Sequence, residues 1–220
     1  MPRAKLKRFD ENKSLHNLLQ DGKEGFNELK GNWNKDHFKN ELPITVEMGC
    51  GKGEYTIGLA RQFKDANFIG VDIKGDRLWV GSKQAIDEGL EQVAFLRTLI
   101  HNIEGFFAPQ EIDTIWITFP DPRPKDRDIK RRLTSPRFLE IYKKLLKKGG
   151  KVYFKTDNTA LFEYTLEVLN ERNDVLDLNY TFDLYDSDYV DDHYGIKTNF
   201  EQKYLDLGEK IKYLKFTFDT

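Results

Sequence analysis

The order of apolar segments predicts an α/β fold built on a doubly wound, mostly parallel sheet. Two observations carry this. From Leu42 onward, short β-branched runs alternate with stretches of helical period. The first such run also turns through Gly49, Gly51 and Gly53 directly into a helical pattern. Sheets of this class hold their sites at the C-terminal ends of the strands. At 220 residues the chain is long enough for one such domain with both faces covered.

The elements follow in order. Residues 1–40 are polar and charged, with scattered aromatics at Phe9, Phe26, Trp33 and Phe38. This predicts an extended or loosely helical, partly flexible arm rather than a core element, its basic residues offered to RNA phosphates, and leaves 41–220 as the folded domain. Pro43 to Met48 reads as the first strand and Tyr55 to Phe63 as the first helix. Phe68 to Asp72 is a second strand ending in an acid, and a helix carrying Leu78, Val80, Ala85 and Ile86 follows. Val93 to Leu96 is a third strand, and Asp113 to Phe119, β-branched and aromatic, a fourth that runs into Pro120. Pro136 starts a helix through Leu146, closed by the basic turn and glycine stop Lys147-Lys148-Gly149-Gly150. Lys151 to Thr156 is a fifth strand, Ala160 to Leu169 a helix, and Ile211 to Phe218 the last strand.

Composition removes several function classes. With 35 Lys+Arg against 37 Asp+Glu, the formal charge is −2, so any nucleic-acid surface must be a local patch. Basic residues do crowd Arg3 to Arg8 and Arg123 to Arg132, while Asp183, Asp186, Asp188, Asp191 and Asp192 form an acidic stretch. A single cysteine, Cys50, excludes an intrachain disulfide and a multi-cysteine zinc site, and no metal is expected. The sequence holds no apolar run of the roughly 20 residues that a membrane span needs and no apolar signal-peptide core. A cytoplasmic protein is expected.

The residues that carry chemistry begin at Glu47. A dinucleotide loop wants G-x-G-x-x-G, but here the position three after Gly51 is Glu54. The form G-x-G-x-G preceded by Glu47 resembles the first motif of S-adenosylmethionine-dependent methyltransferases, and so specifies the Rossmann-like sheet of that class. Asp72, about 20 residues past the loop at a strand end, suits the two ribose hydroxyls of such a cofactor; it would equally serve to cap the next helix. Asn102, after the third strand, is placed to contact adenine. Thr118-Phe-Pro-Asp-Pro-Arg-Pro-Lys125 puts prolines at 120, 122 and 124, which stiffens the loop and holds Asp121 beside the cofactor. The run Lys125 to Arg132 then offers Arg127, Lys130, Arg131 and Arg132 to phosphates.

Phe119 to Leu133, read as F-P-D-P-x-P-K-x-R-x-x-K-R-R-L, is similar to the signature of bacterial tRNA (guanine-N7-)-methyltransferases. That family commonly has Trp, Lys and His where this chain has Arg123, Asp126 and Asp128. The resemblance extends through Phe154-Lys-Thr-Asp157-Asn to Thr198-Asn-Phe-Glu201, and covers roughly residues 44 to 216. It implies S-adenosylmethionine contacts from Glu47, Asp72, Asn102 and Asp121. It further implies substrate contacts from Lys125, Asp157 and the segment Thr198, Asn199, Phe200 and Glu201. The implied reaction is transfer of a methyl group onto guanine N7 in the tRNA variable loop, at position 46; because N7 carries a lone pair and no proton, direct displacement is expected, with Asp121 as the main positioning acid. Without the resemblance, Asp157 reads as a helix cap, and Thr198 with Glu201 as a capping box. The alternatives are a methyltransferase for another RNA or a small molecule, and a non-catalytic RNA-binding module. Either a monomer or a homodimer is compatible.

Overall fold

The computed structural model describes residues 3–219, and the side chains of 5–219. Its centre is an eight-stranded sheet. The strands are β1 (Leu18–Leu19), β2 (Ile44–Met48), β3 (Asn67–Asp72), β4 (Val93–Arg97), β5 (Ile112–Thr118), β6 (Leu146–Thr156), β7 (Val175–Thr181) and β8 (Lys212–Phe218), in the spatial order β1-β4-β3-β2-β5-β6-β8-β7. All pairings are parallel except those of β8 with β6 and β7. From β2 the chain moves outward through β3 and β4, then returns to the other side of β2 as β5. That reversal opens a crevice at the carboxyl ends of β2 and β5, where ligands of doubly wound sheets bind.

The helices are α1 (Arg3–Glu11), α2 (Glu54–Gln62), α3 (Gly75–Asp87), α4 (Pro136–Leu145), α5 (Thr159–Asn170) and α6 (Asn199–Asp206). Two apolar clusters cover the sheet. One gathers Val46, Met48, Ile115, Phe154 and Phe162 beneath α4 and α5. The other gathers Tyr55, Leu59, Leu78, Phe95 and Trp116 beneath α2 and α3. Strands buried on both faces read as continuous apolar runs, which is why β2, β3, β4 and β5 were legible.

Four expectations need correction. Residues before 40 do not form a non-core arm. Leu18, Leu29 and Trp33 are buried, and β1 extends the sheet by pairing Leu18 with Phe95. Trp33 lies in a short π-helix, Trp33–Phe38, stacks on Phe107 and donates its indole N–H to the Phe106 carbonyl at 2.8 Å. These aromatics lack a period because irregular backbone presents them. Second, α4 ends at Leu145, and Lys147-Lys148-Gly149-Gly150 belongs to β6. A Cβ on Gly150 would stand 2.9 Å from the Asp113 carbonyl, so this glycine permits strand approach rather than a helix stop. Third, β7 is a strand that the apolar pattern does not predict. Asp177 takes φ +52° and shifts the register between Leu176 and Asn179, which breaks the alternation that would have revealed it. Fourth, the fourth strand stops at Thr118; Phe119 turns out of it with φ +48°.

Candidate active site

The glycine loop after β2 is fixed from below. The Glu47 carboxylate is buried; one oxygen accepts from the Thr56 amide at 2.9 Å and from the Thr56 hydroxyl, the other from the Thr118 hydroxyl. It therefore ties the start of α2 to the end of β5. Burial raises its pKa against these hydrogen bonds and the attraction of Lys155. Gly53 has φ +75° and abuts the Phe95 ring where a Cβ would stand, so packing as well as backbone requires glycine. Gly51, at φ +58°, has nothing within 4 Å of that position. Its bare backbone faces open space.

Asp72 ends β3 and crosses to the loop, its carboxylate accepting from Gly51 N at 3.1 Å and Lys74 N at 2.8 Å. Beside it lies a cavity of about 570 Å³, bordered by Gly49, Asp72, Ile73, Thr98, Leu99, Ile100 and His101 and by the cations Arg123, Lys130, Arg131 and Arg137. Ile73 and Leu99 are large apolar side chains left exposed there, 44% and 43% accessible. Asn102 is exposed and outside this wall, which is formed instead by Thr98 to His101 in the turn just before it.

A second cavity, about 400 Å³, meets the first at Gly49. Glu47, Gly51, Thr118, Phe119, Thr198, Asn199 and Phe200 are among its lining. Between the cavities runs the proline loop. Phe119 borders one cavity and Arg123 the other, and both have φ +48°, a left-handed backbone that side chains rarely adopt. Asp121 lies between these two residues in sequence, exposed, and outside both walls. Arg123 meets it through its backbone N–H at 3.2 Å and its guanidinium at 3.3 Å.

The basic run divides into two kinds of residue. Lys125, Arg127, Lys130 and Arg131 are exposed, with Asp128 paired to both Arg127 and Arg131. Arg132, expected at the phosphates, is half-buried instead. It donates to the carbonyls of Pro122 at 3.1 Å and Arg123 at 3.2 Å, and its guanidinium lies 4.3 Å from the Tyr164 ring centre. The side chain staples the proline loop.

Glu201, expected at the substrate, is fully buried. Its carboxylate receives Lys155 at 2.9 and 3.1 Å and the Tyr185 hydroxyl at 2.9 Å. Lys155 is equally buried and lies 4.4 Å above the Tyr55 ring; burial lowers its pKa, and Glu201 opposes that. Thr198 does cap α6 by accepting from Glu201 N at 3.0 Å, but the Glu201 carboxylate is committed to Lys155, so the capping box is half formed. This pair anchors the helix that offers Asn199 and Phe200 to the cavity. Glu54 holds Asn199 through its backbone and side-chain N–H groups at 2.7 and 2.6 Å, and Phe200 lies 5.3 Å from Phe119, ring to ring. Lys155, Glu54 and Thr56 were missed. Only their place beside already recognised motifs could have marked them.

Asp157 is half-buried at the end of β6, outside both cavity walls, and burial raises its pKa. It does not cap α5: Asn158 does, accepting from Leu161 N at 2.8 Å. No described group of His, Cys, Asp and Glu is arranged to hold a metal. Among the described residues, no helix is long and apolar enough to cross a membrane.

Residues 41–214 match a family model described as "Putative methyltransferase". A tRNA (guanine-N(7)-)-methyltransferase of Cytophaga hutchinsonii is 51% identical over 219 residues, 99% of each chain. One from Christiangramia forsetii is 46% identical over 218 residues, 96% of each chain. Among solved structures, the 16S rRNA methyltransferase KamB superposes with a TM-score of 0.63 at 12% identity, over 91% of this chain and 96% of its own. An antibiotic-related methyltransferase reaches 0.58 at 22% identity, over 80% and 88%. At such identities these two structures bear on the fold alone, a Rossmann-like methyltransferase sheet.

Proposed function

Because the chain belongs to the tRNA (guanine-N(7)-)-methyltransferase family, we propose that it methylates N7 of a guanine in tRNA, at position 46 of the variable loop, using S-adenosylmethionine. The observation that carries the cofactor reading is the open backbone of Gly51 beside the Asp72 carboxylate, between two cavities joined at Gly49. Those residues fit the group. Asp72 has lone pairs for two ribose hydroxyls, Ile73 and Leu99 offer flat apolar surface to adenine, and the second cavity is left for the methionine portion and the target base. When bound, the cofactor supplies an electrophilic methyl group.

Guanine N7 has an in-plane lone pair and no proton, so direct displacement requires no general base from the protein. The chain's task is to hold N7 in line at near-attack distance. Phe119 and Phe200, 5.3 Å apart at the cavity, offer aromatic faces for the base. Asp121 is assigned to accept from the guanine N1–H and N2–H₂ edge, with Asp157 as a second acceptor, and their negative charge favours the cationic product. For Asp121 this requires Arg123 to leave the carboxylate. RNA phosphates give it somewhere to go. Lys125, Arg127, Lys130 and Arg131 hold the backbone on the same side. A monomer suffices for this reading, since every group it uses comes from one chain.

The test is methyl transfer to unmodified tRNA transcripts with and without guanine at position 46, followed by nucleoside analysis. A 7-methylguanosine product that disappears with that guanine is expected. Transfer that persists without it would assign another acceptor.

A further inference from the structure

A third cavity, about 570 Å³, runs between α2 and α3 to the turn at 195–199. It shares Lys52, Glu54 and Asn199 with the second. The first and third cavities have no residue in common, so the second, where the target base is placed, lies between them. The trench formed by the second and third cavities carries three exposed cations, Lys52, Arg77 and Lys197. None makes an ion pair among the described residues. Lys197 lies 4.7 Å from the Tyr185 ring centre. Arg61, further along the trench, is by contrast bound to Glu88 at 2.8 Å. Glu54, the acid that lines both the second and third cavities, is turned onto Asn199.

Unpaired cations of one sign in a groove raise the local concentration of an anionic partner. A base inserted in the middle cavity leaves a sugar-phosphate chain continuing in both directions, and the basic run from Arg123 to Arg137 serves only one of them. We propose that Lys52, Arg77 and Lys197 form a second RNA-backbone surface, which holds the strand leaving the target base on the side away from the proline loop. This rests on the reading of the protein as an RNA methyltransferase. The two basic walls then grip the strand on both sides of the reacting nucleotide and resist its withdrawal from the cavity.

The test compares the triple variant Lys52→Gln/Arg77→Gln/Lys197→Gln with the double variant Lys130→Gln/Arg131→Gln, both in the full chain. Binding of unmodified tRNA is measured across a salt series, and S-adenosylhomocysteine affinity by calorimetry. Removing one cation from a single-strand phosphate should make the log–log salt dependence shallower by about 0.7. The triple variant is therefore expected to lose about 2 in slope while retaining S-adenosylhomocysteine affinity. Lys197→Gln alone, at an exposed position, is expected to lose about 0.7 and serves if the triple variant does not fold. An unchanged slope in the trench variants, with a shallower one in the double variant, would overturn the proposal. So would weaker S-adenosylhomocysteine binding with an unchanged slope, which would assign the cations to the cofactor carboxylate. If neither set alters tRNA binding, the RNA reading itself fails.

Discussion

At the scale of single residues, Asp121 and Arg132 both differ from what proximity in sequence suggests: the acid is held by Arg123, and the arginine turns away from solvent onto the loop backbone. Asp121 is exposed and held by Arg123, which the proposed role requires to be drawn away before the carboxylate can meet a base. Asp121→Ala is expected to lower kcat on the order of 10²-fold or more, with tRNA binding retained, because the change removes a positioning group and leaves every cation at the phosphates in place. Single-turnover methyl transfer alongside tRNA binding checks this; wild-type turnover would move the role to Asp157. Arg132 points inward to the Pro122 and Arg123 carbonyls. Arg132→Ala should therefore reduce turnover while leaving the salt dependence of tRNA binding as it was, whereas Lys130→Ala should make that dependence shallower by about 0.7. A shallower slope for Arg132→Ala would return it to the phosphates. Glu47, the glycines and Asp72 could be read from residue type and spacing, since backbone freedom and a strand-end acid are local requirements. The inward turn of Arg132 and Glu201 could not be read, because it depends on Tyr164 and Lys155, which are distant in sequence.

Among elements, the parallel core strands were readable because burial on both faces writes an unbroken apolar run. β7 lies at the sheet edge, with Leu176 and Tyr180 exposed, and leaves no such record. Its start is held by charge instead. Asp174 receives Arg172 through two guanidinium nitrogens at 2.8 and 2.6 Å and Lys143 of α4 at 2.8 Å, which fastens the strand's entry to the helix layer. Hydrogen bonds from Arg172, then Lys143, lower the Asp174 pKa from 3.8 to about 2. A depressed carboxyl contributes stability above its unfolded pKa and loses it as pH falls through the folded value. Asp174→Asn should thus cost up to about 1 kcal/mol at pH 7, the scale of a partly exposed pair. The difference from wild type should shrink between about pH 4 and pH 2. Urea unfolding of both proteins across that range measures it, and a gap that stayed constant would show that Asp174 acts by packing rather than charge.

For the whole molecule, the question is whether the first 40 residues are an appendage for RNA or part of the folded unit. Their composition suggests the first, with Lys5 and Lys7 offered to phosphates, although Lys5 lies 3.9 Å from Asp76 of α3 and Lys7 3.5 Å from Glu11; Arg3, also assigned there, has its side chain outside the described residues. The packing indicates the second. β1 lengthens the sheet beyond β4, Asn17 exchanges hydrogen bonds with Ser82 of α3, and Asn12 donates to the Gly75 carbonyl at 2.9 Å at the start of the same helix. α3 follows directly from the turn that carries Asp72, so the segment supports the Asp72 wall of the first cavity, where the cofactor is proposed to bind, from behind. Trp33 and Leu18 are completely buried, and removing a large core side chain costs about 3–5 kcal/mol for Trp and 2–5 for Leu. Two such losses equal much of the roughly 5–15 kcal/mol that stabilises a domain. A chain cut to residues 41–220 is therefore expected to lose cooperative thermal unfolding and cofactor binding together, while Lys5→Gln/Lys7→Gln keeps both and weakens only tRNA binding. Differential scanning calorimetry with S-adenosylhomocysteine titration separates the cases. A truncated chain that still melted cooperatively and bound the ligand would make the segment an appendage, because its buried aromatics would then contribute nothing that the sheet requires.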